Sequence, residues 1–282
     1  MSDILTRWRD ALAEQSPVAM ATEIEGPNVG NKLLVTPEDH EGTVGNEELD
    51  RAVVEAARGM LEGGRTGVRR YGPRGQRRME DVAVFIQSFA PPPRMYVFGA
   101  IDFASAVARI GKHMGYRVTV CDARAVFATR ERFPTADEVV VAWPDEFLKT
   151  AEVDGRTVIC VLTHDPKFDV PVLKAALKTP AGYIGAMGSR RTHNNRTTRL
   201  REEGVTDEEL SRISSPVGLD IGARTPEETA VAIAAEIIAL STGHSGGRLS
   251  ERSGPIHAPE PDTAPSPDAE DVKRGAAAAR EG

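Results

Sequence analysis

The chain has 282 residues, a hydrophobic share of 40% and a net charge of −7, from 35 Lys and Arg against 42 Asp and Glu. That length suits two domains with cores of their own, and the acidic balance excludes a dedicated nucleic-acid binder, whose footprint is a basic excess. Every apolar run falls short of the ~20 residues that span a bilayer. With no signal-peptide pattern at the start, the expected location is cytoplasmic.

The opening segment MSDILTRWRDALAEQ places Ile4, Trp8 and Leu12 on one face of a helix. Strands are expected at VAMATEIE and NKLLVT, followed by a turn from Glu41 to Asn46. A helix over Glu47–Glu62 is then stopped by Gly63 and Gly64. Strand patterns near VRRY and at DVAVFIQSF complete a small α+β domain over residues 1–90. Pro91, Pro92 and Pro93 form a stiff extended linker, because each ring fixes φ and removes a donor.

Residues 94–242 alternate strand and helix. MYVFGA, YRVTVCD, DEVVVA, RTVICVLT and AGYIGAM are near-continuous apolar runs, which suit a parallel sheet covered on both faces. Phe103, Val107, Ile110 and Met114 recur at helical spacing after the first of them. The last helix opens at Thr225-Pro226-Glu227-Glu228, a capping box with proline at the first helical position, and runs to about Leu240. The expected fold class is α/β, a Rossmann-like parallel sheet preceded by the smaller α+β domain. From Gly243 to residue 282 the composition turns to Ser, Gly, Pro, Ala and charge, and a disordered tail is expected. Cys121 and Cys160 sit inside apolar strand runs and are expected as buried, reduced thiols. No Cys/His cluster has zinc spacing, so no metal site is expected.

Ligands of open parallel α/β sheets sit beyond the carboxyl ends of the strands. Gly99, Ala100, Ile101 and Asp102 follow the first strand. Only the first glycine of the dinucleotide fingerprint is kept, and the branched Ile101 stands where the second would let a pyrophosphate approach. Asp102 is placed either as the cap of the following helix or as an acceptor for a ring. Asp122, 23 residues after Gly99, is a candidate ribose-type acid with Arg124 beside it. Thr163, His164 and Asp165 follow another strand, and His164 is a candidate for orienting a ligand or moving a proton. Gly188, Ser189, Arg190 and Arg191 open a helix, where free N–H groups and two guanidinium forks suit an anion. The further arginines Arg196, Arg199 and Arg201 are expected as a solvated face. No nucleophile pattern accompanies the histidine, so no catalytic residue is assigned.

The stretches FGAIDFASAVARIGKHMGYRVTVCDARAVFATRERFPTADEVVV, LTHDPKFDVPVL, YIGAMGSRRT and PVGLDIGARTPEETAVAIAAEI resemble the XdhC/CoxI family over about residues 82–242. Gly30-Asn31-Lys32 and Gly42-Thr43-Val44-Gly45 keep parts of that family's N-terminal glycine motifs, whereas Ile101 and Asp102 replace its usual Gly and His. The resemblance implies an accessory protein, more a cofactor chaperone than an enzyme. Such a protein binds molybdenum cofactor (molybdopterin) transiently and hands it to an apo molybdenum hydroxylase of the xanthine dehydrogenase or carbon monoxide dehydrogenase type. The Gly188–Arg191 turn would then take the cofactor's phosphate, and Asp122, Arg124, His164 and Asp165 its ring. A cofactor-sulfurating enzyme and a second copy of the chain are further candidate partners. Two alternatives stand beside this expectation: an NAD(P)-dependent oxidoreductase, and a scaffold paralogue that has kept the fold without the ligand.

Overall fold

The computed structural model describes residues 2–76, 79 and 81–253. The N-terminal unit, Met1–Pro91, carries α1 (Ser2–Ala13), β1 (Val18–Glu25), β2 (Lys32–Val35), β3 (His40–Gly42), α2 (Glu47–Glu62), β4 (Gly67–Tyr71) and β5 (Val82–Phe89). Its strands form one antiparallel sheet in the order β3-β2-β1-β5-β4. Alternation along β1 sends Ala19 and Ala21 to one face and Val18 and Met20 to the other. Leu49, Val53, Ala57 and Met60 of α2 close the first face. Ile4, Trp8 and Ala11 of α1 pack on the second. Asn46 caps α2 by accepting from the Leu49 N–H, and Glu47, Glu48 and Asp50 complement the helix dipole. The edge strand β3 was not expected: His-Glu-Gly has no apolar alternation, and only its pairing with β2 makes it a strand.

The second unit, Pro92–Arg248, contains β6 (Arg94–Phe98), α3 (Asp102–His113), β7 (Arg117–Cys121), β8 (Glu138–Val140), α4 (Pro144–Thr150) and β9 (Val158–Val161). It continues with α5 (Pro166–Leu177), β10 (Tyr183–Ala186), α6 (Arg190–Glu202), α7 (Asp207–Leu210), β11 (Ile213–Ser214) and α8 (Pro226–Ser241). The strands form one parallel sheet in the order β11-β10-β9-β6-β7-β8. Counted from β6, this is the doubly wound Rossmann order, with its switch point between β6 and β9. The expected Rossmann-like sheet and smaller α+β region are therefore both present.

Helices α3 and α8 cover one face of this sheet, and α5 lies on the other. In α3 the deepest positions are Ala104, Val107, Ala108 and Gly111, while Phe103, Ile110 and Met114 pack at the margin. Small residues let the helix approach closely: a Cβ on Gly111 would lie 2.5 Å from the Met95 sulfur. The capping box at Thr225 and Glu228 is formed as its sequence requires. Strand β8 is shorter than the run DEVVVA, and Val141 and Trp143 beyond it are exposed. Residues 254–282 of the tail expected to be disordered lie outside the described residues.

Candidate functional site

Register sets the site. Phe98 pairs with Cys121 on one side and Val161 on the other, and Val161 pairs with Ala186. Four strands thus end level, and the loops beginning at Gly99, Asp122, Leu162 and Met187 line one edge. Gly99 adopts φ +102°, and a Cβ there would lie 2.8 Å from Thr163 Cγ2 and 3.0 Å from its backbone nitrogen. The loops after β6 and β9 therefore touch at the switch point, and only glycine fits between them.

Asp122 is buried at the end of β7, and both of its oxygens are engaged. Oδ2 accepts from the Ala100 N–H at 2.7 Å and Arg124 Nη2 at 2.7 Å. Oδ1 accepts from the Arg124 N–H and Nε, each at 2.9 Å. Four donors fill the carboxylate's capacity. Asp122 thereby fastens the turn after β6 and holds the Arg124 guanidinium in place. Burial by itself would raise its carboxyl, but hydrogen bonds from the Arg124 side chain and the two N–H groups outweigh that and hold it below the ordinary value of 3.8. A depressed carboxylate stabilises the fold above its unfolded pKa, and that contribution is lost as pH falls through the folded value. The melting temperature of the wild type should therefore fall more steeply below about pH 4 than that of Asp122→Asn, the two curves converging in acid. Parallel curves from pH 7 to pH 2 would contradict this.

Asp102 is not brought to the others. Ile101 occupies the N-cap position of α3 and makes no side-chain cap bond, because its apolar side chain has no acceptor; its N–H closes a tight turn onto Gly99 O at 3.0 Å. Asp102 is instead the first helical residue, exposed and paired with Arg132 at 3.3 Å. It borders a separate cleft with Ser105, Arg109 and Glu227.

The loops after β9 and β10 are joined by a buried network. The Thr163 hydroxyl donates to Asp169 Oδ1. Arg196 Nη2 donates to Asp169 Oδ2 and to the Met187 carbonyl, each at 2.7 Å, and Nη1 reaches Ser215 Oγ at 3.3 Å. The Arg196 and Asp169 side chains are only 4% and 3% exposed. Arg196 therefore is not part of a solvated face. It lies one turn before the buried Leu200 and shares its side of α6. Arg196 Nε has no hydrogen-bond partner among the described residues.

Beside this pair lies a cavity of about 160 Å³, bordered by His164, Pro166, Asp169, Arg191, Asn195, Arg196 and Arg199 among others. Ser189 caps α6 by accepting from the Thr192 N–H at 3.2 Å. Gly188 adopts φ +147° and lies against Thr192, where a Cβ would be 3.0 Å from Thr192 Cβ. The N–H groups of Arg190 and Arg191 carry no hydrogen bond among the described residues, and the first turn of α6 has no acidic residue. Nor do Arg190, Arg191 and Arg199 carry an ion pair among the described residues. Unpaired N–H donors and the exposed Arg190 and Arg191 thus lie at the positive end of a 13-residue helix, and Arg191 and Arg199 border the cavity. Asp165 has a local role, capping α5 through the Lys167 N–H at 3.0 Å.

The carboxyl edge thus gathers Gly99, Ala100, Asp122 and Arg124 into one cluster. It gathers His164, Gly188, Ser189, Arg190 and Arg191 into a second, with Asp165 at the head of the helix between them. Sequence reasoning missed Asp169 and Arg196 as a buried pair; the available signal was Asp169, a charge among the apolar positions of α5, whereas Arg196 lies in a helix whose single apolar residue is Leu200. Cys121 and Cys160 are buried and free, as expected, and burial pushes both thiols up to about 12, which keeps them protonated near neutral pH. Among the described residues no three His, Cys, Asp or Glu side chains group as metal ligands, and no helix is long and apolar enough to cross a membrane.

The XdhC Rossmann domain model matches residues 95–237, and the XdhC and CoxI family model matches residues 11–72. A probable xanthine dehydrogenase subunit of Bacillus subtilis is 36% identical over 155 residues, covering 55% of this chain and 45% of its own length. The molybdenum cofactor insertion chaperone PaoD of Escherichia coli is 30% identical over 156 residues, covering 55% of this chain and 42% of its own. The chain spans about half the length of the curated relatives it matches. A crystal structure described as a xanthine dehydrogenase from Bacillus halodurans superposes with a TM-score of 0.60 at 24% identity, over 84% of this chain and 65% of that one, and shares the fold. With one family model on the Rossmann unit and the other on the unit before it, this chain belongs to the XdhC and CoxI family.

Proposed function

We propose that the protein binds molybdenum cofactor as cargo and delivers it to an apo molybdenum hydroxylase. The observation that carries the reading is the opening of α6: two unbonded N–H groups and two unpaired arginines beside a cavity walled by His164, Arg196 and Arg199. A phosphate fits that donor set, since guanidinium forks bind it bidentately and the helix end favours negative charge. Gly188, Ser189, Arg190 and Arg191 would hold it. Arg124, His164 and Asp165 would face the ring, and Asp122 would act through Arg124, because its own oxygens are taken. Gly99 and Ala100 would lie beside Asp122 and Arg124, with Gly99 against Thr163. A carrier needs preorganised polar contacts rather than a nucleophile, and the kinship with a cofactor insertion chaperone supports the same role.

The nicotinamide reading fares worse. In the Rossmann turn the N–H of Ala100, which a pyrophosphate would need, is occupied by Asp122, and Ile101 stands over the approach. Reconstitution tests the delivery role: the loaded protein, desalted, is added to an apo xanthine dehydrogenase-type or carbon monoxide dehydrogenase-type hydroxylase. Recovery of activity above that given by the same amount of free cofactor supports delivery; equal recovery contradicts it.

A further inference from the structure

The part of the carboxyl edge served by β7 and β8 differs in character from the α6 side. Its loops carry exposed apolar residues: Val126 is 75% and Trp143 50% exposed, with Phe127 and Val141 beside them in sequence. Trp143 occupies the N-cap position of α4 and makes no side-chain cap bond. Ser, Thr, Asp and Asn are the residues that favour that position. A large exposed indole in a capping position breaks two local preferences at once, and such violations gather at functional sites.

Trp143 packs against an aromatic ring that itself carries two cations. Its ring lies 5.1 Å from that of Phe168, centroid to centroid. The Arg124 guanidinium is 5.9 Å from the Phe168 ring and 4.6 Å from the Phe127 ring, and Lys167 Nζ lies 4.8 Å from the Phe168 ring. Arg124 is not free to swing away, because Asp122 holds both its Nε and Nη2. The result is a row of aromatic and guanidinium groups with Phe168 buried inside it, open to solvent at Trp143 and at Phe127, over which Arg132 also lies at 5.4 Å. The first turns of α5 separate this row from the cavity at α6: Pro166, Asp169 and Val170 border the cavity, and Phe168 belongs to the row.

We propose that Trp143, Phe127 and Arg124, backed by the buried ring of Phe168, form a stacking platform for a planar heteroaromatic ring, on a ligand whose anionic end lies at the start of α6. Stacking on aromatic faces and on guanidinium suits flat, electron-poor rings and tolerates variation in their edges. The inference rests on the cofactor reading, in which the ring is that of the pterin. It names a ring site that the anion site alone does not require.

The test uses the full chain with Trp8→Phe, which leaves Trp143 as the single tryptophan of the 2 present. Trp143 fluorescence is titrated with unphosphorylated pterin, and in parallel with adenine and with a flavin. Pterin is expected to quench it saturably, inorganic phosphate is expected to leave that quenching in place, and Phe127→Leu is expected to weaken it about tenfold, the scale of one lost stacking contact. No quenching by any of the three rings overturns the platform, whatever inorganic phosphate does at Arg190 and Arg191. Quenching by adenine or flavin without pterin keeps the platform and overturns the cofactor reading. A Trp143→Leu variant of the full chain that binds oxidised, phosphorylated pterin as the wild type does, yet fails to capture an apo-hydroxylase, overturns the platform in favour of a protein-docking face.

Discussion

Arg196→Ala is expected to destabilise the Rossmann unit by about 3–5 kcal/mol, the cost of leaving one member of a buried ion pair without the other. For a unit of this size that corresponds to a fall of roughly 10 °C in melting temperature, measured by scanning calorimetry. Arg196 is the only positive charge bonded to the buried Asp169 carboxylate among the described residues, and it also satisfies the Met187 carbonyl. Burial already pushes the Asp169 carboxyl up against the pull of Arg196, so removal of the guanidinium leaves that carboxylate to protonate or to draw in water. The double variant Asp169→Leu with Arg196→Met should recover much of the loss, because an apolar pair of similar volume carries no desolvation cost. A single variant that melts with the wild type would show that the pair does not hold the loops after β9 and β10 together.

Arg190→Ala combined with Arg191→Ala is expected to weaken cofactor binding at least a hundredfold while shifting the melting temperature by less than about 2 °C. Each charge-assisted hydrogen bond to an anion contributes on the order of 1.5–3 kcal/mol, and two such losses combine to at least that ratio. The small stability effect follows from position: both side chains are exposed, neither is ion-paired among the described residues, and Ser189 still caps the helix. Equilibrium binding of the oxidised, phosphorylated pterin to wild type and variant, with a melting curve of each, checks both parts. Unchanged affinity would remove α6 from the site.

The contrast between these variants shows where the sequence was legible. Period and capping made α2, α8 and the parallel strands readable, because local chemistry and tertiary packing agree there. The Gly188-Ser189-Arg190-Arg191 turn was legible for the same reason: a cap, a glycine and two arginines lie within four residues. Arg196 was not legible as a core residue, since its partner Asp169 lies 27 positions away and only the fold brings them together. Asp122 was placed at the strand end, where it is found, and Arg124 was within reach to pair with it; the donor from Ala100, in the turn after β6, is one that no spacing rule supplies. Asp102 was misplaced by one residue because Ile101, with no capping side chain, holds the cap position. The row through Trp143 and Phe168 was invisible for a further reason: its members come from the loops after β7 and β8 and from α5, and meet only at the carboxyl edge.

Possession of molybdenum cofactor by this chain is measured most directly by retention. The full-length protein is incubated with freshly released cofactor, desalted, and assayed for molybdenum and for oxidised-pterin fluorescence, with NAD and NADP carried through in parallel. The expected result is molybdenum and pterin each retained at about one per chain, with neither nucleotide retained. Retention of a nicotinamide nucleotide alone, or of nothing, would contradict the proposed role.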